Sequence, residues 1–210
     1  MSHDQANPAI IRLGRRAVLK VATGGGLAMA LARAGVRPAS AQAVKYRWDI
    51  VSVQVREGAP NVLEGGEASA RSVNGLRISF KGSGTFVTGT PRDVTGGGTF
   101  KVAASAGATI FEGSYQVTEL LSWQPEEGSL PVVDRIGTSQ DARAGLAILR
   151  VAYPGAAQGL LFVSCELDGT NPGVFEGIIA THSTVSFFNN EAPQDEPFVD
   201  ANRTIFHVVR

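Results

Sequence analysis

Apolar residues fill nearly every position of two runs within residues 144–182, and Pro154-Gly155 and the stretch Asp168-Gly169-Thr170-Asn171-Pro172-Gly173 cut that segment into three. Runs this apolar, bounded by turn compositions, predict strands covered on both faces or lining a barrel or sandwich interior. Elsewhere the pattern alternates. Over residues 46–55, Tyr46, Trp48 and Ile50 share one face while Arg47, Asp49, Val51 and Val53 share the other, a strand period. Residues 67–73 and 76–80 flank Asn74-Gly75, which predicts a hairpin closed by a type I′ turn with positive φ at both central residues. Residues 113–124 read as a long strand carrying Tyr115, Val117, Glu119, Leu121 and Trp123 on one face. Residues 125–143 are polar and turn-rich and read as the longest loop, residues 189–202 as another, and residues 203–209 as a closing strand.

Three small-residue approaches into an aromatic, Gly82-Ser83-Gly84-Thr85-Phe86, Gly96-Gly97-Gly98-Thr99-Phe100 and Gly113-Ser114-Tyr115, predict places where strands bend or pack closely on neighbours. Their spacing is too irregular for a solenoid or propeller. With roughly ten strands and no helix in the body of the chain, the pattern predicts an all-β fold, an antiparallel barrel-like meander with a β-sandwich as the alternative. Short links between sequential strands and glycine-rich bends favour the barrel-like form.

The first 43 residues differ in kind. Arg15-Arg16 followed by Leu19-Lys20, a glycine-diluted apolar stretch, and Ala39-Ser40-Ala41-Gln42-Ala43 have the layout of a cleavable twin-arginine export signal, with cleavage after Ala41 or Ala43. This predicts residues 1–43 as signal and 44–210 as a single domain, exported to the periplasm or beyond by the twin-arginine translocase. The apolar stretch is interrupted by glycines and shorter than the ~20 residues a bilayer crossing needs, so no permanent span is expected in the mature form. Formal net charge is zero for the whole chain, but residues 1–43 hold six of the 19 basic residues and one of the 19 acidic ones, which leaves the remainder at −5. An acidic domain is a poor partner for nucleic acid. Cys165 is the one cysteine, so neither an intramolecular disulfide nor a cysteine-based zinc site is available.

Candidate chemistry is sparse. Glu119, Arg150, Glu176 and His207 each share a strand phase with apolar residues, and ionisable groups on an interior face must pair, shift in pKa or line a wet cavity. They define a candidate ligand site in an apolar cup. Cys165, in phase with Leu161, Val163 and Leu167, reads as a small buried hydrophobe. Ser164-Cys165-Glu166 lacks the flanking glycines of a nucleophile elbow, and the glycine-rich segments lack the lysine and helix of a phosphate loop. Asp195, Glu196 and Asp200 lack the spacing of a calcium loop; no metal and no cofactor is expected.

The twin-arginine leader, the opening Tyr46-Arg47-Trp48-Asp49, Gly96-Gly97-Gly98-Thr99-Phe100, Val174-Phe175-Glu176-Gly177-Ile178 and the closing 202–208 together resemble a group of exported bacterial proteins, a likeness that implies export and no activity. Gly96 to Phe100 and Gly113 to Tyr115 are also similar to the glycine-rich strands of dirigent and allene oxide cyclase barrels, which implies a barrel and transfers no catalytic residue. Two functions compete on these grounds. One is binding of a small apolar ligand or an envelope partner. The other is a cofactor-free isomerase or cyclase using Glu119 or Glu176 as acid/base and Arg150 to polarise a carbonyl.

Overall fold

In the computed structural model, which describes residues 42–194 and 198–210, the closing strand pairs on both of its sides and so turns a long sheet into a ring. The strands are β1 (Lys45–Arg56), β2 (Ala59–Leu63), β3 (Ala68–Arg71), β4 (Arg77–Val87), β5 (Val94–Ala103), β6 (Thr109–Glu126), β7 (Val133–Asp134), β8 (Ala142–Ala152), β9 (Gln158–Cys165), β10 (Gly177–His182), β11 (Val185–Phe187), β12 (Asn189–Asn190) and β13 (Phe198–Val209). The fold is all-β, and all but one of the strand pairings are antiparallel; β2 and β7 run parallel. β1, β4, β5, β6 and β8 are linked in that order, and β13 joins β8 at 142–143 to β1 at 45–51. The signal reading of residues 1–43 falls almost wholly outside the described residues. Among the described residues no helix is long and apolar enough to cross a membrane.

Three of the ring strands divide one side between two partners along their length, and β1 does so with β4 through Lys45 to Asp49 and with β2 through Ser52 to Arg56. β4 pairs with β3 through Arg77 to Phe80 and with β1 through Ser83 to Val87. β8 pairs with β13 at Ala142 and Arg143, and with β9 from Gly145 onward. The split in β4 falls at Gly82, and the split in β8 falls beside Gly145.

Aromatic side chains pack the inside of the ring. Tyr46, Phe86, Trp123 and Phe206 stack and tilt against one another at centroid distances of 4.6 to 6.2 Å. A second group, Phe80, Phe100, Tyr115 and Tyr153, continues the core with centroids 4.7 to 6.4 Å apart. Burying rings of this size is the largest stabilising contribution a small β domain can collect. Trp48, Phe80, Phe86 and Phe206 are wholly enclosed. The interior is therefore filled with rings, where a hollow cup was the expectation.

The glycine-rich segments have the role their pattern predicts. Gly82, Gly84, Gly96 and Gly98 face each other across β4 and β5 as Gly82↔Gly98 and Gly84↔Gly96, and a Cβ on any of the four would overlap backbone of the neighbouring strand. The hairpin at Asn74-Gly75 forms with a different turn. Arg71 pairs with Arg77, the Ser72 N–H donates to the Leu76 carbonyl, and only Gly75 takes positive φ, at 80°. This is a three-residue loop ending in a left-handed glycine, which accommodates Asn74 without the strain of a two-residue type I′ turn.

The predicted long loop 125–143 also has more order than its composition suggested. Leu130, Val132 and Ile136 pack on the core, β7 pairs with β2, and Ser129 bridges to Asp168 through two backbone hydrogen bonds. It is a strap across the outer face of β1, β2 and β13. Gly98→Ala should destabilise the fold by about 3 kcal/mol or more, because the intruding Cβ meets the rigid Lys81 carbonyl. Gly173→Ala, with only Asn171 Oδ1 at 3.6 Å, should change stability little; urea denaturation of both variants checks the contrast.

Candidate functional site

The four sequence-predicted residues fall in three different places. Glu119 and Arg150 pair with each other, Arg150 Nε donating to Glu119 Oε2 at 2.9 Å, with side chains 31% and 42% exposed. They stand on the outside of the ring. Two bulges in β6 explain why the alternation misled: the pairing with β8 shifts between Val117 and Glu119 and again between Leu120 and Ser122. Each shift moves the following residues to the other face, so Tyr115, Val117 and Leu120 are buried while Leu121 is 41% exposed. On β8 the inward phase is Ala147, Leu149 and Val151, all fully buried, and Arg150 with Leu146 and Ile148 takes the opposite face.

His207 is buried, but under the strap. It neighbours Ile205 on the face of β13 opposite Phe206, and its Nε2 lies 2.8 Å from Asp134 Oδ2. Asp134 Oδ1 accepts the backbone N–H groups of Ile136 and Gly137 at 2.9 and 3.0 Å. Burial alone would raise the Asp134 pKa, yet those two N–H groups and the His207 ring hold its carboxyl below the ordinary aspartate range. This cluster anchors the strap to β13. The sequence did not single out Asp134, although Val132, Val133 and Ile136 around it are an apolar run inside a polar loop and are the signal that could have found the strap.

Glu176 occupies the third place. Gly177, at φ 103°, opens β10 so close to β13 that a Cβ would lie 2.9 Å from the Asn202 carbonyl oxygen. That approach sets the Glu176 side chain between two strand ends. Its Oε1 accepts the Thr204 N–H at 2.6 Å and its Oε2 accepts the Glu166 N–H at 2.5 Å. Thr204 Oγ1 in turn donates to the Ser164 carbonyl at 2.6 Å, and Asn190 Nδ2 donates to the Glu176 carbonyl at 3.3 Å. The carboxyl thus supplies hydrogen bonds at a junction where β9 and β13 do not pair directly. Burial pushes its pKa up to about 8, against the pull of the Thr204 and Glu166 N–H groups and of Arg203.

Beside Glu176 a cleft of about 670 Å³ opens between the strap and the outer face of β1, β2 and β13. Val51, Val53, Val62, Leu130, Val132 and Ile205 give it an apolar wall. Its polar lining comprises Glu176, Glu166, Asp168, Thr170, Arg203 and Thr204. Neither Glu119, Arg150 nor His207 lines it, so Arg150 is not placed to polarise a group held against Glu176. Cys165 is wholly buried, as its strand phase implied, and burial drives its thiol pKa well up. No group of three or more His, Cys, Asp or Glu side chains suited to a metal occurs among the described residues; Asp195 and Glu196 lie outside them, and Asp200 pairs with Arg77 at 2.6 Å. No protein-family model matches this chain, and neither a curated protein nor a solved structure matches it.

The raised Glu176 pKa has a stability consequence with a definite sign. The folded chain holds the proton up to about pH 8, whereas the unfolded chain releases it near the ordinary value of 4.5. Stabilisation present below pH 4.5 is therefore lost progressively as the pH rises to about 8. Glu176→Gln removes this titration and also replaces one of two acceptors with an N–H₂ group, at a cost of about 1–3 kcal/mol. The variant should be clearly less stable than the parent at pH 5, with the gap narrowing toward pH 8. Urea midpoints across that range test this; parallel curves would contradict it.

Proposed function

We propose that the mature domain is an exported β-barrel-like protein that binds a small apolar molecule in the cleft beneath the strap. The observation that carries this reading is the pairing of a continuous aliphatic wall with one buried carboxyl in a cleft whose volume lies inside the ~300–1,000 Å³ range of small-molecule sites. Val51, Val53, Val62 and Ile205 are already largely covered beneath the strap, and an apolar ligand would gain about 25 cal/mol for each Å² of apolar lining that the cleft still leaves open. The binding site is thus the outside of the ring, under the strap. Export is proposed on Arg15-Arg16, Leu19-Lys20 and the small residues near Ala43, with the periplasm or the exterior as destination.

The full chain should bind N-phenyl-1-naphthylamine, a neutral dye that brightens in apolar surroundings, with a saturable fluorescence rise. Val132→Trp, which fills the cleft from the strap side, should weaken that binding by roughly tenfold or more. A dye that does not bind, or that binds both proteins equally, would remove the cleft as the site. Replacing both Arg15 and Arg16 with lysine should leave unprocessed precursor in the cytoplasm of the producing cell, followed by immunoblot of cell fractions; normal processing would sink the twin-arginine assignment.

A further inference from the structure

The cleft's polar end is prepared for an anion but short of positive charge. Each Glu176 oxygen already accepts one backbone N–H, from Thr204 and Glu166, an arrangement that favours a carboxylate. The groups that face it are Glu166 and Cys165 from the end of β9, Asp168 from the following turn, and Arg203 from β13. Glu166 and Asp168 add negative charge at the exposed edge of the cleft. Among the described residues Arg203 is the one basic side chain in the lining, and its Nε also donates to the Gln194 carbonyl at 3.4 Å. Among the described residues three carboxyl groups therefore face one guanidinium beside the aliphatic wall. At Glu176 the two N–H donors and Arg203 do not offset the desolvation of the carboxylate, which a further nearby positive charge would.

We propose that the cleft selects apolar molecules carrying a cationic nitrogen, whose alkyl or ring portion lies on Val51, Val53, Val62 and Ile205 while the ammonium group sits against the Glu176 carboxylate with Glu166 and Asp168 at the edge. This inference rests on the cleft being a binding site. It adds the chemistry of the occupant. The cation supplies the charge that the backbone donors cannot, and the aliphatic wall excludes inorganic cations that would leave it uncovered. Because Glu176 holds its proton to about pH 8 in the empty cleft, seating an ammonium group at pH 7 requires that proton to leave for solvent.

The test compares octylammonium, 1-octanol and octanoate on the full chain at pH 7, by calorimetry and by competition against the dye. Octylammonium should bind at least roughly tenfold more tightly than the alcohol or the acid. Calorimetry in buffers of different ionisation enthalpy should show release of close to one proton per ammonium bound, and none for the alcohol. Glu176→Gln should remove the preference for the cation, so that octylammonium binds no more tightly than 1-octanol. Equal or tighter binding of octanol or octanoate, or cation binding without proton release, would overturn the proposal and leave the cleft reading standing. Absence of binding by all three probes and by the dye would defeat both. Should Glu176→Gln not fold, proton release by the parent protein decides the matter alone.

Discussion

The architecture depends on the two-sided pairing of β13. A strand that bonds to β1 along 45–51 and to β8 at 142–143 removes the exposed edges those strands would otherwise present, and it converts a meander into a ring. Ring closure fixes the diameter, and the diameter fixes what fits inside. Trp48, Phe86, Trp123 and Phe206 pack together inside the six strands. The glycine pairs across β4 and β5 belong to the same constraint, since their backbones approach too closely for any side chain to lie between them. A closed ring packed in this way uses its interior for stability.

Closure has a further cost that explains the location of the cleft. Because β4 and β8 each serve two partners, the sheet forks, and strand ends at the fork lack the partners that a regular ladder would supply. Side chains take over. Glu176 serves Glu166 and Thr204, Thr204 Oγ1 serves Ser164, and Asn202 Oδ1 accepts the Ser69 N–H at 2.7 Å. Forks of this kind place polar side chains beside apolar strand faces, and a strap laid over such a junction encloses both. The cleft is thus a by-product of topology, with Glu176 present first because the fold needs hydrogen bonds there.

Much of the architecture was legible in the chain. The apolar runs of 144–182 become β8, β9 and β10 between the expected breaks, the glycine-rich stretches become close strand contacts, and Cys165 lies in the core beside Leu161 and Val163. What failed was the assumption that a strand keeps its phase. The bulges in β6 carry Glu119 outward, and bulges leave no mark in a pattern of apolar and polar residues. His207 was correctly grouped with Ile205, but both faces of β13 are buried, so phase could not say which layer covers it. The strap that does so depends on long-range pairing between β7 and β2, to which local composition is blind.

Asp134 and Glu176 make the decisive comparison. Each carboxyl accepts two backbone N–H groups, and burial opposes ionisation in both. Yet Asp134 is held below its ordinary range and Glu176 is pushed far above it. Burial outweighs the N–H donors at Glu176, the more deeply enclosed of the two, whereas at Asp134 the Gly137 and Ile136 N–H groups, with the His207 ring behind them, outweigh burial. Two backbone donors thus keep the less deeply enclosed carboxyl ionised and do not offset the burial of the deeper one. The same two-donor arrangement leaves Asp134 a charged anchor for the strap and Glu176 with a raised pKa, and a cation entering the cleft would oppose the burial that raises it.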